Sequence, residues 1–206
     1  MTDTPFRPFD SLLDRDTALR HLQEATRGAD DGELFLERHR SEGLHFDDGR
    51  VKTASYDASD GFGPRAVRGE VTGYAHSSEV NEAALTRAVE TARLAVGDGG
   101  GTLADAPART NRRLYTDADP IAGASFPVKL ETLREIDAFA RDLDPRVVQV
   151  SATIAASLQE ITILRPDGSE ISDTRPMTRV NVSIIVDQDG RRESGTAGRG
   201  GRTGLD

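Results

Sequence analysis

Three short stretches of this chain carry residue types and spacings that invite a chemical reading. The first is GFGPR, Gly61 to Arg65, where two glycines precede a basic residue as in a phosphate-holding loop. Such a loop needs a helix to follow it, so that helix N–H groups meet the anion. Pro64 and the strand-like RAVRGEVTGYA follow instead. The alternative use of these glycines is a bulge or a close main-chain approach. Arg65 projects from this glycine-flanked strand, so Gly61, Gly63 and Arg65 are the candidate site residues, at a substrate channel or an interface.

The second stretch, DQDG at residues 187–190, has the acidic spacing of part of a calcium loop. Setting Asp189 and Gly190 at loop positions five and six puts Ile185 at position one and Thr196 at position twelve. Neither is the acidic ligand those positions need, so a hairpin turn is the better reading. The third group is the histidines, His21, His39, His45 and His76. None is followed by Glu and no pair has the i, i+4 spacing of a helical zinc motif. His39 and His45 are close enough in sequence to meet across neighbouring strands, with solvated strand histidines as the simpler alternative. No serine lies in a nucleophile elbow. Asp47 and Asp48 are explained by a turn before acid–base chemistry is needed.

The elements that must position these residues follow from periodicity. Asp16 is placed to cap a helix running to about Ala29, with Leu19, Leu22, Ala25 and Ala29 on one stripe. ELFLERHRSE reads as a strand. Asp48-Gly49 makes a two-residue hairpin loop, with Asp47 opposite Arg50, Phe46 opposite Val51 and Leu44 opposite Thr53. A second hairpin, 61–68 with 71–77, turns near Gly69. A helix from about Glu82 to Val96 is capped by Asn81 or Ser78, and another runs from about Val128 to Leu143 with Pro127 in its first turn. RVVQVSATIAAS, EITIL and TRVNVSIIVD read as strands. RPDGSE turns either through two residues, with Arg165 opposite Glu170, or through a Pro-containing three-residue loop.

The expected fold is α+β, with helices packed on mainly antiparallel sheets in two loosely similar αβ units. The expected boundaries are a flexible arm at 1–13, a first helix and β-hairpin unit at 14–96, a Gly-rich linker at 97–125, a second unit at 126–192, and a Gly/Arg-rich link at 193–206. Helix, strand and Asp-Gly hairpin recur in the same order in both units, a loose internal echo. A link of that composition is expected to lead to a further element.

Composition narrows the function classes. The formal charge of −9 repels phosphate backbones and argues against broad nucleic-acid binding. There is no cysteine, so disulfides and thiolate metal sites are excluded from this stretch. No stretch approaches the roughly 20 apolar residues of a spanning helix, and MTDTPFRPFDSLLDRD lacks the basic and apolar regions of a secretory signal. A cytoplasmic protein without membrane contact is expected.

Two longer segments, SEGLHFDDGRVK and DGFGPRAVRGEVTGYA, resemble the amino-terminal half of the TldD/PmbA metallopeptidase family. The second matches its Gly-x-Gly-x-Arg-Ala-x-x-Gly-x-x-Thr-Gly-Tyr/Phe-Ala signature. RPDGSEISDTRPMTRVNVSIIV and GRRESGTAGRGG fall where the family has similar segments, so the resemblance spans nearly all of residues 16–201, closer to the TldD branch. It implies a cytoplasmic zinc-dependent peptidase acting on unfolded or modified peptides, including peptide-antibiotic leaders and an antitoxin. It also implies work with a PmbA-type (TldE-like) partner subunit. The family's zinc site is a His-Glu-x-x-x-His helix plus a cysteine-type ligand in the C-terminal half. That motif is absent from this sequence, so zinc belongs to the parent protein, and no catalytic or metal residue carries over to this chain, which is expected to be inactive alone. Pro64 stands where the family usually has an aliphatic residue, which questions the hydrogen bonding of that strand. The alternatives are a self-sufficient peptide-binding or scaffolding module and, within the family, a PmbA-like subunit without its own zinc.

Overall fold

The computed structural model describes residues 6–97 and 115–205. Its frame is one six-stranded antiparallel sheet in the order β3-β2-β1-β4-β5-β6. The strands are β1 (Asp31–Asp47), β2 (Arg50–Arg68), β3 (Val71–Tyr74), β4 (Val147–Leu164), β5 (Glu170–Gln188) and β6 (Arg191–Gly201). The helices are α1 (Pro8–Ser11), α2 (Arg15–Ala25), α3 (Glu82–Val96) and α4 (Phe126–Leu143). The α+β class holds. The two expected halves share one sheet, because β1 and β4 pair antiparallel from Leu34 with Leu164 to Asp47 with Ser151.

Strand periodicity decides which face is covered. Even-numbered residues of β1 and β4 point to the helices, and Leu34, Leu36, Leu44, Phe46, Ala152, Ile154 and Leu164 are all buried. The helices cover this face in two places. Over one end, α2 and α3 close a core of Leu22, Leu34, Leu36, Phe62, Leu85, Val89 and Leu164. Over the other, α4 sets Leu133 on Leu44, Phe46, Ala152 and Ile154.

Local chemistry fixes the helix ends. Asp14, not Asp16, caps α2, with its Oδ1 accepting from Thr17 N–H at 2.8 Å. The helix stops at Ala25, where the Thr26 hydroxyl bonds the Leu22 carbonyl at 2.8 Å. Asn81 caps α3 by accepting from Ala84 N–H at 2.9 Å. At the far end, Arg68 donates to the carbonyls of Val96 and Gly97. Pro127 lies in the first turn of α4.

Several expectations are corrected in detail. Residues 6–13 are no loose arm, since Phe6 and Leu13 are buried in the α2–α3 core and Phe6 N–H donates to Glu160. The expected linker is described only at 97 and from 115 onward. There Asp119 is buried and accepts from the main chain of Ile121 and Ala122. Residues 191–201 are the edge strand β6 rather than a flexible link. Asp48-Gly49 and Asp189-Gly190 both turn with positive φ at each residue. The Asp47–Arg50 and Phe46–Val51 pairs form, but a bulge between His45 and Phe46 shifts Leu44 onto Ala54 and His45 onto Thr53. Of the two choices for residues 165–170, the structure takes the three-residue loop Pro166-Asp167-Gly168, with Arg165 N–H donating to Ser169.

Candidate functional site

Between the two cores the covered face of the sheet turns polar. The alternation that buries Leu34 and Leu36 continues through Arg38, Arg40 and Glu42 before returning to Leu44 and Phe46. The matching stretch of β4 presents Glu160, opposite Arg38. Arg38 makes a forked bond to Asp60 of β2, with Nε 3.0 Å and Nη2 3.3 Å from its two oxygens. That bond raises the pKa of the guanidinium, and the group also lies 4.9 Å from the Phe6 ring centroid. Arg40 Nη1 lies 3.0 Å from Asp119 Oδ2, an ion pair off the angle of a hydrogen bond, and Nη2 lies 3.4 Å from Glu160. Lys129, whose side chain is 1% exposed, reaches down from α4. Its Nζ is 3.0 Å from both Glu42 oxygens and 2.7 Å from the Ile121 carbonyl.

Arg38, Arg40, Glu42, Asp60 and Lys129 line a cavity of about 690 Å³ between β1–β2 and the start of α4, together with Tyr56 and Phe126. Every charge in it has an opposite partner. With its cations and carboxylates so engaged, the cavity can bind and orient a polar chain. Sequence reasoning missed this band. The signal was present in ERHRSE, where charges at 38, 40 and 42 interrupt an otherwise apolar face of one strand.

The sequence-derived candidates lie elsewhere. Gly61 and Gly63 line a shallow cleft of about 250 Å³ on the opposite, helix-free face, with Phe35, Glu37, Tyr74 and His76. They permit a close approach. A Cβ on Gly63 would sit 2.8 Å from the Tyr74 ring, and one on Gly61 would sit 3.3 Å from the Ser77 carbonyl. Tyr74 in turn stacks on His76, with centroids 6.0 Å apart. Arg65 lies beyond this cleft, tied at 3.1 Å to Glu33 and 3.2 Å to Asp31, and Arg165 joins the same carboxylates. The three candidates are therefore not gathered round one point. Pro64 interrupts the outer ladder. Phe62 exchanges two bonds with Ser77 and Pro64 accepts from Ala75, but its missing N–H leaves that second pair with one bond. β3 accordingly ends at Tyr74.

His39 and His45 lie on the same strand, β1, and His45 Nε2 is 3.0 Å from Ser151 Oγ of β4. Asp187 of the DQDG stretch bonds Arg192 and Gly190 N–H, which lowers its pKa, chiefly through Arg192. Among the described residues, no three His, Asp or Glu side chains are grouped to hold a metal ion. No described helix is long and apolar enough to cross a membrane.

Two family models match the chain, "PmbA/TldA metallopeptidase domain 1" over residues 32–96 and "PmbA/TldA metallopeptidase central domain" over residues 119–206. The chain belongs to the PmbA/TldD metallopeptidase family. Among this family's curated members it is 31% identical over 193 residues to the "Metalloprotease TldD homolog" of Buchnera aphidicola, a match covering 93% of the chain and 40% of that relative. It is 32% identical over 183 residues to the Haemophilus influenzae protein of the same name, covering 87% and 38%. The chain thus spans about 40% of the length of these PmbA/TldD relatives. In fold it is similar to the crystal structure of TldE from Thermococcus kodakarensis, with TM-score 0.68 at 15% identity, covering 91% of the chain and 42% of that structure. The boundary between the two family regions falls at the polar band. Domain 1 supplies Arg38, Arg40, Glu42 and Asp60, and the central domain supplies Asp119, Lys129 and Glu160.

Proposed function

We propose that this chain forms the amino-terminal, non-catalytic part of a TldD-type zinc peptidase that cuts unfolded or modified peptides in the cytoplasm with a PmbA-type, TldE-like partner. The observation that carries this reading is the alignment of 93% of the chain with a named TldD metalloprotease homologue. The described residues do not fit a zinc ion, since they contain no grouped ligands, and no step of hydrolysis is assigned to them. Their part is to shape the path of an extended peptide, with neither nucleic acid nor membrane as a partner. The side-chain-free floor at Gly61 and Gly63, beside Tyr74, gives such a peptide main chain to lie against. Arg65 serves this wall as a positioning residue through Asp31 and Glu33.

The test compares this chain with the product of the complete reading frame, each with and without a PmbA-type subunit. Metal content and hydrolysis of an unfolded peptide are measured. Zinc and cleavage are expected only with sequence beyond Asp206 that includes His-Glu-x-x-x-His. One tightly bound zinc per 206-residue chain overturns the reading, and a stop codon directly after Asp206 moves it to a self-sufficient binding module.

A further inference from the structure

One guanidinium, that of Arg40, stands between two separate parts of the fold. On one side is the amino-terminal segment, residues 6–13. Phe6 N–H donates at 3.0 Å to Glu160 Oε1, and the Phe6 ring is buried in the α2–α3 core. On the other side is the turn that leads into α4. Asp119 Oδ1 accepts from the N–H groups of Ile121 and Ala122, and the Asp119 carbonyl accepts from Gly123 N–H at 2.8 Å. Arg40 reaches both carboxylates, Asp119 Oδ2 through Nη1 at 3.0 Å and Glu160 Oε2 through Nη2 at 3.4 Å. Both carboxylates are buried, so each needs a counter-charge. Arg38 faces Glu160 across the strands, but its Nε and Nη2 are taken by Asp60. One cation thus serves two anions.

Neither contact of Arg40 is ideal. The one to Glu160 is long. The one to Asp119 is off-angle, and Arg40 Nε and Asp119 Oδ2 are buried without a hydrogen bond. We propose that Arg40 is a shared latch that couples the amino-terminal segment to the Asp119 turn: when the segment detaches, the guanidinium shifts toward Glu160 and the turn is released. The sign follows from the contacts. While Phe6 N–H satisfies Glu160 Oε1, this carboxylate draws only weakly on Arg40, which is left to hold Asp119. Without that N–H, Oε1 is buried and unpaired, which strengthens the pull of Glu160 on Arg40. The 3.4 Å contact has room to shorten, and the off-angle contact is the one that yields. Asp119 is then a buried anion without its counter-charge, and the turn it shapes opens. A guanidinium poised between two carboxylates supplies the two arrangements that coupling requires. Because coupling is reciprocal, freeing the turn also loosens the amino-terminal segment.

The turn has a bearing on the polar cavity. Ile121, Ala122, Ala124 and Ser125 form one wall of it, and the Ile121 carbonyl accepts from Lys129 Nζ. Docking of the amino-terminal segment therefore sets the shape of a cavity that Phe6 itself does not line. Every link joins side chains and main chain inside the described fold, so the coupling does not depend on which outer surfaces are covered. It does not rest on the proposed peptidase role either, because it needs no zinc, peptide or second subunit.

Amide hydrogen exchange of the 206-residue chain, read residue by residue by NMR, tests the coupling. The reporters are the Ile121 and Ala122 N–H groups. Ala84 N–H, held by Asn81 in the same core as Phe6, is the control for general loosening. Phe6→Leu keeps the N–H and an apolar side chain, whereas Phe6→Pro removes the N–H. Relative to Phe6→Leu, Phe6→Pro should speed exchange at 121 and 122 about tenfold, and at Ala84 by much less. Glu160→Gln keeps an acceptor for Phe6 but drops the charge that competes for Arg40. It should slow exchange at 121 and 122, the direction opposite to a loosened structure, and in that background Phe6→Pro should leave them unchanged. Arg40→Met should speed them and likewise silence Phe6→Pro. Equal exchange in Phe6→Leu and Phe6→Pro overturns the proposal. So does acceleration at Ala84 as large as at 121 and 122, faster exchange at 121 and 122 in Glu160→Gln, or a Phe6→Pro effect that survives Glu160→Gln or Arg40→Met.

Discussion

Single residues in this protein are held by short-range chemistry that can be tested one at a time. Arg146 grips Asp144 with its guanidinium, with Nη2 at 2.6 Å and Nε at 3.0 Å from the carboxylate oxygens, and its N–H adds a further bond. The side-chain bonds, then the main-chain one, hold the Asp144 pKa at about 2. A folded-state value below the unfolded one means that this stabilisation is complete above the ordinary carboxylate range. It is lost as pH falls from that range through about 2. A carbon-detected NMR titration should therefore find the Asp144 midpoint near 2, and Arg146→Leu should raise it toward the ordinary carboxylate value without reaching it, because the main-chain bond from residue 146 remains. Two glycines resist substitution for different reasons. A Cβ on Gly73 would lie 2.0 Å from the Ala92 carbonyl, where α3 packs on β3. Gly49 has open space around it but a φ of +77°. Urea unfolding followed by circular dichroism should show Gly73→Ala losing about 2 kcal/mol or more from forced separation of helix and sheet. Gly49→Val should lose about 1–2 kcal/mol from backbone strain alone.

At the scale of elements, α4 and β1 meet through one buried ion pair. Removing the charge from Lys129 leaves Glu42 beneath the helix without its counter-charge. Lys129→Met should cost about 3 kcal/mol of unfolding free energy, and adding Glu42→Leu should recover most of it, because a neutral pair tolerates burial. A double-mutant cycle from urea melts measures both. How far sequence revealed these elements depended on the range of the forces involved. The Glu82–Val96 helix and its Asn81 cap were readable because cap, stripe and terminus are all local. The Asp47–Arg50 closing pair was readable from the turn. The bulge beyond it was not, since it answers to β4 on the other flank as well as to β2. β6 was misread as a link because glycine and arginine have little strand preference, and its partner β5 supplies the missing order. The polar band was illegible for a related reason. Arg38, Arg40 and Glu42 gain meaning only once Asp60, Asp119, Lys129 and Glu160 are folded over them.

For the whole molecule, the two family regions fold as one body because β1 and β4 pair with each other and run under both cores. Differential scanning calorimetry should give a single transition with equal calorimetric and van't Hoff enthalpies, where two independent units would give two. Strands of this length also face a hazard of misregistration. A slip of two residues keeps the same side chains facing the helices, so alternation alone does not forbid it. Sliding β1 that way in one direction would set Glu160 against Leu36 and drag Glu42 away from Lys129, stranding charge in apolar surroundings at several kcal/mol. The charged middle of this sheet thus acts as an alignment key, and misfolded chains caught early in refolding should be those in which it has not yet engaged.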